Sequence, residues 1–213
     1  MINTLIVCDN NDVEVGDFFN RCKIKTEKKI ATSKLQFEKN EVTRNAVFEM
    51  LVPMFANRIN SKPFLFVSYS HGSENELLKN GTTPFISTDY EVKCLKNSIA
   101  FCYACKAGKN LGKELCKNDT LCFIGYDNDV IIQKYFGAEN SFIECATIGI
   151  EYFIDGNSTG QTLKLIKDRY TKFIDDFYLK DMLTATLFMQ NRDALILHGD
   201  SEVTINDLCL AQK

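Results

Sequence analysis

Four short, nearly continuous apolar runs constrain the fold of this 213-residue chain more than any other feature. They are rich in β-branched and aromatic residues, which is typical of strands that are covered on both faces. Segments with a helical pattern lie between them. This alternation predicts an α/β fold, a three-layer sandwich in which helices flank a mostly parallel central sheet. The predicted strands are Ile2–Cys8, Pro63–Tyr69, Ser98–Tyr103 and Thr120–Tyr126.

Helices are predicted where apolar residues recur at helical spacing. One is expected over Glu41–Asn60, where Pro53 is predicted to kink or split it. Ser158 and Gln161 have the spacing of a capping box, so a helix is expected from there to about Phe177. Three more are a helix that opens near Gly108 and runs to about Lys117, a helix over Glu139–Phe153 and a helix over Asp181–Asn191.

The remaining segments have weaker patterns. Lys23–Lys39 is charged and weakly patterned, and both a hairpin and an exposed excursion stay open. Ala194–Leu197 and Val203–Ile205 are interpreted as short closing strands around a His198-Gly199-Asp200 turn. No repeat, low-complexity tract or linker is evident, so we expect one domain over residues 1–213.

Composition excludes several classes of protein. The net charge is −3 and no basic block stands out, which argues against nucleic-acid binding. No run reaches the roughly 18 apolar residues of a spanning helix, so no membrane partner is expected. The start of the chain lacks the basic region and cleavage site of a signal peptide. The nine cysteines are therefore expected to be reduced, in a soluble cytoplasmic protein.

The residues best suited to catalysis follow two predicted strands. One strand runs into His71 and Gly72, and another runs into Cys105. Because the crevice beyond the carboxyl ends of parallel strands is where ligands bind, the imidazole and the thiol are expected side by side there. A base beside a thiol favours the attacking thiolate. The backbone N–H groups of Gly72 and Cys105 are candidate oxyanion donors, and Gly108 frees the turn into the next helix.

A hydrophobic strand ending in His-Gly, followed by another ending in Ala-Cys with a nearby Gly, resembles the caspase-like clan of cysteine peptidases. The segment from Tyr103 to Gly112 looks most like the CHAT and gingipain branch, and the resemblance covers roughly residues 63 to 206. Tyr103 replaces the caspase Gln, and the spacing from His71 to Cys105 is shorter than in caspases. Both differences argue against caspase-type cleavage after aspartate.

The resemblance implies a cysteine endopeptidase that cleaves a protein substrate without a cofactor or metal. It also implies that His71 acts mainly as the acid for the leaving amine, and that a partner protein or a sensing event activates the enzyme in microbial defence or programmed death. Residues after the strand that follows the nucleophile often line the substrate pocket in this clan. Asp127 and Asp129 at that position would favour cleavage after Lys or Arg, although a solvated turn explains them equally well.

Other hypotheses stay open. The chain is alternatively a dormant caspase-like binding and regulatory module whose site awaits a partner. Cys102 and Cys105 form a C-x-x-C, which suggests a thiol oxidoreductase, whereas a zinc site would need further ligands. His198 also precedes a glycine and is a second candidate base.

Overall fold

The computed structural model describes residues 1–47, 50–134 and 137–210. Its strands belong to a six-stranded sheet and a separate three-stranded sheet. In chain order they are β1 (Ile2–Cys8), β2 (Phe37–Thr43), β3 (Phe64–Tyr69), β4 (His71–Gly72), β5 (Glu76–Lys79), β6 (Thr83–Ser87), β7 (Ser98–Tyr103), β8 (Cys122–Tyr126) and β9 (Leu195–Gly199).

The larger sheet has the strand order β2-β1-β3-β7-β8-β9. Its first five strands run parallel, and only β9 pairs antiparallel at the edge. The predicted α/β fold with a mostly parallel sheet is confirmed. Strands β4, β5 and β6 form the small antiparallel sheet, which is inserted directly after β3 and therefore begins at His71.

Helices cover both faces of the larger sheet. They are α1 (Gly16–Thr32), α2 (Leu51–Ile59), α3 (Leu111–Lys117), α4 (Glu139–Ile154), α5 (Thr159–Tyr178), α6 (Met182–Ala194) and α7 (Ile205–Leu210). None of the helices in the described part of the chain combines the length and apolarity needed to cross a bilayer.

The pleat of β3 shows why its sequence is apolar throughout. Leu65, Val67 and Tyr69 belong to the core under α1, α4 and α5. Phe64 and Phe66 belong to the opposite core, under α2 and α3. Since alternate side chains enter different cores, both sets of positions are buried and the strand reads as an uninterrupted apolar run.

The predicted helix over Glu41–Asn60 is wrong in its first part. Glu41 belongs to β2, and the helix occupies only Leu51–Ile59; Phe48 and Glu49 lie outside the described residues. Pro53 falls in the first turn of α2, where a missing N–H breaks no helical hydrogen bond, so Pro53 neither kinks nor splits the helix.

Three other segments differ from the sequence predictions. Residues 23–32 continue α1, and the chain then enters β2, rather than forming a hairpin. Val203 is not in a strand: its carbonyl accepts the Thr159 N–H at 2.9 Å, and Ile205 begins α7. The helix expected near Gly108 begins at Leu111 after a turn.

Candidate active site

Adjacent parallel strands bring His71 and Cys105 to one edge of the larger sheet. Tyr69 at the end of β3 is in register with Tyr103 at the end of β7. The Ser70 N–H donates to the Tyr103 carbonyl at 3.3 Å, which keeps the two chains together past the strands. His71 and Cys105 therefore line the same pocket of about 180 Å³.

The walls of this pocket, which we call the dyad pocket, are mostly apolar. Phe19 packs edge-on against the His71 ring, with centroids 5.7 Å apart. A peptide segment that enters such a pocket loses water around the reacting groups, and this strengthens electrostatic interactions there. Besides His71 and Cys105, the lining residues are Val15, Phe19, Ser70, Tyr103, Ala104, Val130 and Ile132.

Asp12 orients His71. Its Oδ2 lies 3.0 Å from His71 Nε2, while its Oδ1 accepts the N–H groups of Glu14 at 2.9 Å and Val15 at 2.8 Å. Burial raises the pKa of Asp12, but the hydrogen bonds from Val15, His71 and Glu14 outweigh burial and lower it below the usual value. Asp12 is thus a carboxylate that holds the ring by Nε2 and leaves Nδ1 for other partners.

The sequence prediction missed Asp12, although a signal for it exists. Asp12 follows β1, and β1 is the neighbour of β3 in the sheet. The strand-end rule that selected His71 and Cys105 therefore applies to Asp9 and Asp12 as well.

The Cys105 thiol rests against the backbone of Val130. The Val130 N–H donates to Cys105 Sγ at 3.3 Å, and the thiol lies 3.8 Å from the Val130 carbonyl. Burial raises the pKa of Cys105 above that of an ordinary thiol, although the Val130 N–H opposes this. Among the described contacts no hydrogen bond joins the thiol to His71. Burial therefore favours the neutral thiol at Cys105 in the resting site.

Gly72 packs directly on the backbone of Ala104 and Cys105. A Cβ at this position would lie 2.6 Å from the Cys105 carbonyl oxygen and 2.9 Å from the Ala104 Cβ. Only glycine permits this approach. The Cys105 N–H has no hydrogen-bond acceptor in the backbone of the described residues. Gly72 itself pairs with Leu77 in the small sheet, and the pair of oxyanion donors, Gly72 and Cys105, stays a prediction.

The turn after Cys105 contains an unusual backbone conformation. Lys106 has a φ of +57°, a left-handed conformation that is uncommon for a residue with a side chain. Its N–H donates to the Asn128 carbonyl at 3.0 Å. α3 begins only at Leu111, and the N–H groups of Asn110 and Leu111 donate to the Glu74 carbonyl.

Residues 127–134, which we call the covering segment, pass over the thiol. The side-chain amide of Asn191, itself fully buried, anchors them. The Ile131 N–H donates to Asn191 Oδ1 at 2.9 Å, and Asn191 Nδ2 donates to the Ile131 carbonyl at 2.8 Å. Asn191 thus fixes the part of the covering segment that adjoins Val130 and Cys105.

Asp127 and Asp129 border a second pocket, of about 460 Å³, beside the covering segment. Asp193, which the sequence prediction missed, contributes a third carboxylate to the same pocket. Asp129 already pairs with Lys106 Nζ at 3.0 Å. Asp193 Oδ1 likewise accepts from Arg192 Nε at 2.9 Å. Asp127 is therefore the carboxylate of this acidic pocket with no ion pair among the described contacts.

The geometry disfavours two alternatives. Cys102 is buried within β7, on the core side under α2 and α3, and burial raises the pKa of its thiol strongly. A thiol in that environment is poorly suited to redox exchange with Cys105. His198 lies in β9, and its Nε2 is 2.7 Å from the Gly108 carbonyl. This hydrogen bond gives His198 a structural role.

Comparison with protein-family models finds no family that matches this chain. Comparison with curated proteins likewise finds no matching relative.

Proposed function

We propose that the protein is a caspase-like cysteine endopeptidase with Cys105 as nucleophile and His71 as its proton-transfer partner. One observation carries the proposal: the thiol and the imidazole line one pocket at the ends of adjacent parallel strands. The resemblance of the His-Gly and Ala-Cys segments to this clan supports the same reaction, hydrolysis of a peptide bond.

In the proposed reaction, Cys105 Sγ attacks the carbonyl carbon of the scissile bond. His71 takes the thiol proton and delivers it to the leaving nitrogen, and the C–N bond breaks to leave a thioester. Water then attacks the thioester, which releases the acid and restores the thiol. The N–H groups of Gly72 and Cys105 stabilise the oxyanion formed in both steps. The Asp12 carboxylate stabilises the imidazolium and acts as a positioning residue.

Proton transfer needs some rearrangement from the resting state. The Cys105 thiol is neutral and partnered with the Val130 backbone. A bound substrate that displaces residue 130 would free the thiol and turn it toward His71 in the same pocket. The mechanism therefore needs no resting ion pair between Cys105 and His71, and His71 acts as base and then as acid for the leaving amine. The rearrangement agrees with activation by a partner that moves the covering segment.

We further propose cleavage after Lys or Arg. Asp127, Asp129 and Asp193 surround one pocket, and the backbone of residue 128 is bonded to the residue that follows the nucleophile. A carboxylate in such a pocket stabilises a cationic side chain. Because Lys106 pairs with Asp129 and Arg192 pairs with Asp193, Asp127 carries most of the specificity.

A dormant binding module is the second candidate. The observation that favours it is the covering segment, which Asn191 anchors over the Cys105 thiol. In a module of this kind the segment would remain closed, and its outer surface would contact the partner. The cysteine would then have no substrate.

A peptide electrophile with arginine at the cleavage position separates the candidates. The chain is incubated with an arginyl acyloxymethyl ketone, and the modified residue is identified by mass spectrometry, with Cys102→Ala as the matched control. The peptidase hypothesis predicts selective modification of Cys105, to the same extent in Cys102→Ala. The absence of labelling, even with cell extract added, favours the dormant module. A reversible bond between Cys102 and Cys105 contradicts both.

A further inference from the structure

Three groups that bind metals converge beside the dyad pocket. One ligand atom from each of Asp9, Asp12 and His71 lies within 4.8 Å of the other two. His71 Nε2 and Asp12 Oδ2 are 3.0 Å apart. A tetrahedral zinc ion with bonds of roughly 2.1 Å holds its ligand atoms roughly 3.4 Å apart. Small side-chain rotations therefore bring the three atoms to ligand distance.

Asp9 supplies the independent indication of a ligand. Its side chain is completely buried. Oδ2 accepts the Asn80 N–H at 2.6 Å, but Oδ1 has no hydrogen-bond partner among the described residues. A buried carboxylate oxygen without a partner is costly, and native structures seldom keep one without a reason. A cation shared with Asp12 and His71 would provide that missing partner.

We propose that Asp9, Asp12 and His71 form a site for a divalent cation of the zinc class. Two carboxylate oxygens and one imidazole nitrogen are a ligand set that zinc accepts, whereas magnesium and calcium prefer oxygen ligands alone. The ring nitrogen that faces Asp12 binds the ion, and its proton is released to solvent. These residues supply three ligands, and water takes the fourth position.

The site has a consequence for catalysis that rests on the proposed peptidase function. His71 cannot bind the ion through Nε2 and keep its hydrogen bond to Asp12. An occupied site therefore holds a cation where the imidazolium must form, and like charges repel. The cation acts as a reversible inhibitor, and Asp9 is needed for the inhibition but not for the reaction.

Cobalt titration tests the site without any activity. Co²⁺ replaces zinc, and its thiolate charge-transfer absorption reveals any sulfur ligand. The background is Cys105→Ser, which removes the thiol of the dyad pocket. We expect this protein to bind one Co²⁺ ion without the thiolate band. We expect the Co²⁺ affinity to be at least roughly tenfold lower when Asp9→Asn is added, as for loss of a ligand. Asp17→Asn, an exposed change of the same charge at the start of α1, leaves the affinity unchanged.

The proposed site is overturned if Co²⁺ binds equally tightly with and without Asp9→Asn. A thiolate band at the same Co²⁺ affinity in both proteins also overturns it. His71→Gln, at a partly exposed position, is the second ligand variant in case Asp9→Asn does not fold. It too must weaken binding at least roughly tenfold, and unchanged binding again overturns the site.

Peptide hydrolysis by the chain with Cys105 intact separates this proposal from the peptidase proposal. Zinc inhibits hydrolysis and a chelator restores it. With each protein compared with its own metal-free rate, Asp9→Asn raises the inhibitory zinc concentration at least roughly tenfold. Inhibition that is identical in Asp9→Asn overturns the regulatory role. If cobalt binds through Asp9 but no hydrolysis occurs, the site stands and the peptidase proposal fails.

Discussion

Replacement of Asp12 by asparagine removes one charge and almost nothing else. The Asn oxygen can still accept the N–H groups of Glu14 and Val15, which Asp12 Oδ1 accepts now. The amide group, however, faces His71 Nε2 as a donor and carries no charge. The variant therefore isolates the electrostatic support of His71 from the local turn.

The expected loss follows from the 3.0 Å separation of Asp12 Oδ2 and His71 Nε2. Two unit charges at this distance attract by about 5.5 kcal/mol at an effective dielectric constant of about 20, and by about 1.4 kcal/mol at about 80. Asp12 is 11% exposed and His71 is 29% exposed, so the site lies between these limits. We expect kcat/KM to fall by about a hundredfold, within about ten- to ten-thousandfold.

The assay is hydrolysis of fluorogenic peptides with Arg or Lys before the scissile bond, with kcat and KM measured separately. Asp12 does not line the dyad pocket, so the loss is expected in kcat more than in KM. Asp12→Ala is the matched variant: it loses about 1 kcal/mol of stability with its turn hydrogen bonds, whereas Asp12→Asn keeps its melting temperature. A folded Asp12→Asn protein with less than a threefold change in kcat/KM, or with the whole loss in KM, would refute the positioning role.

Four further predictions test the surroundings of the dyad. Asp127→Asn lowers kcat/KM for arginyl peptides by about ten- to hundredfold, as for loss of a charged hydrogen bond, without weakening hydrolysis of other peptides; equal losses for all peptides contradict a specificity role. Asn191→Ala leaves two backbone groups unpaired and lowers the free energy of unfolding by about 2 kcal/mol in urea, yet it speeds alkylation of Cys105; slower alkylation would show that the covering segment does not shield the thiol. Gly72→Ala forces a Cβ against the Cys105 carbonyl, so the free energy of unfolding falls by about 1–3 kcal/mol and labelling of Cys105 slows. An unchanged melting temperature would contradict this prediction. Because burial raises its pKa, the resting Cys105 is alkylated by iodoacetamide with a pH midpoint above the roughly 8.5 of a free thiol, and a midpoint near 7 is incompatible with a neutral resting thiol.

The strands in the interior of the sheet were predictable because burial on both faces requires nearly continuous apolar sequence. β1 and β7 match their predicted ranges, since every second residue enters one core and the rest enter the other. β2 escaped prediction because it is an edge strand, in which only Val42 is fully buried. Its charged residues are typical of edges that avoid pairing with other chains.

Helix α1 was missed for a different reason. Its buried positions Phe18, Cys22, Thr26 and Ile30 recur every four residues, but one of them is polar and lysines stand between them. The chain before it also lacks a capping side chain, so no start signal marks the helix. Tertiary packing against α4 and β1, rather than local propensity, stabilises it.

For the candidate site, the sequence supplied the two residues of the dyad but not their supports. His71 and Cys105 stand out because a glycine or a small residue flanks each at a strand end. Asp12 lies 59 residues from its partner His71 along the chain. Asn191 lies 60 residues from its partner Ile131. No local pattern encodes such pairings. They become visible only when the strand order and the path of the covering segment are known.

The central claim is that Cys105 cleaves proteins. The most direct measurement is mass spectrometry of new N-termini after the chain is incubated with co-purifying proteins and with total cell extract. The account predicts N-termini preceded by Lys or Arg, retained with Cys102→Ala and absent with Cys105→Ala. The same N-termini with Cys105→Ala, or none with the unaltered chain under either condition, would contradict it.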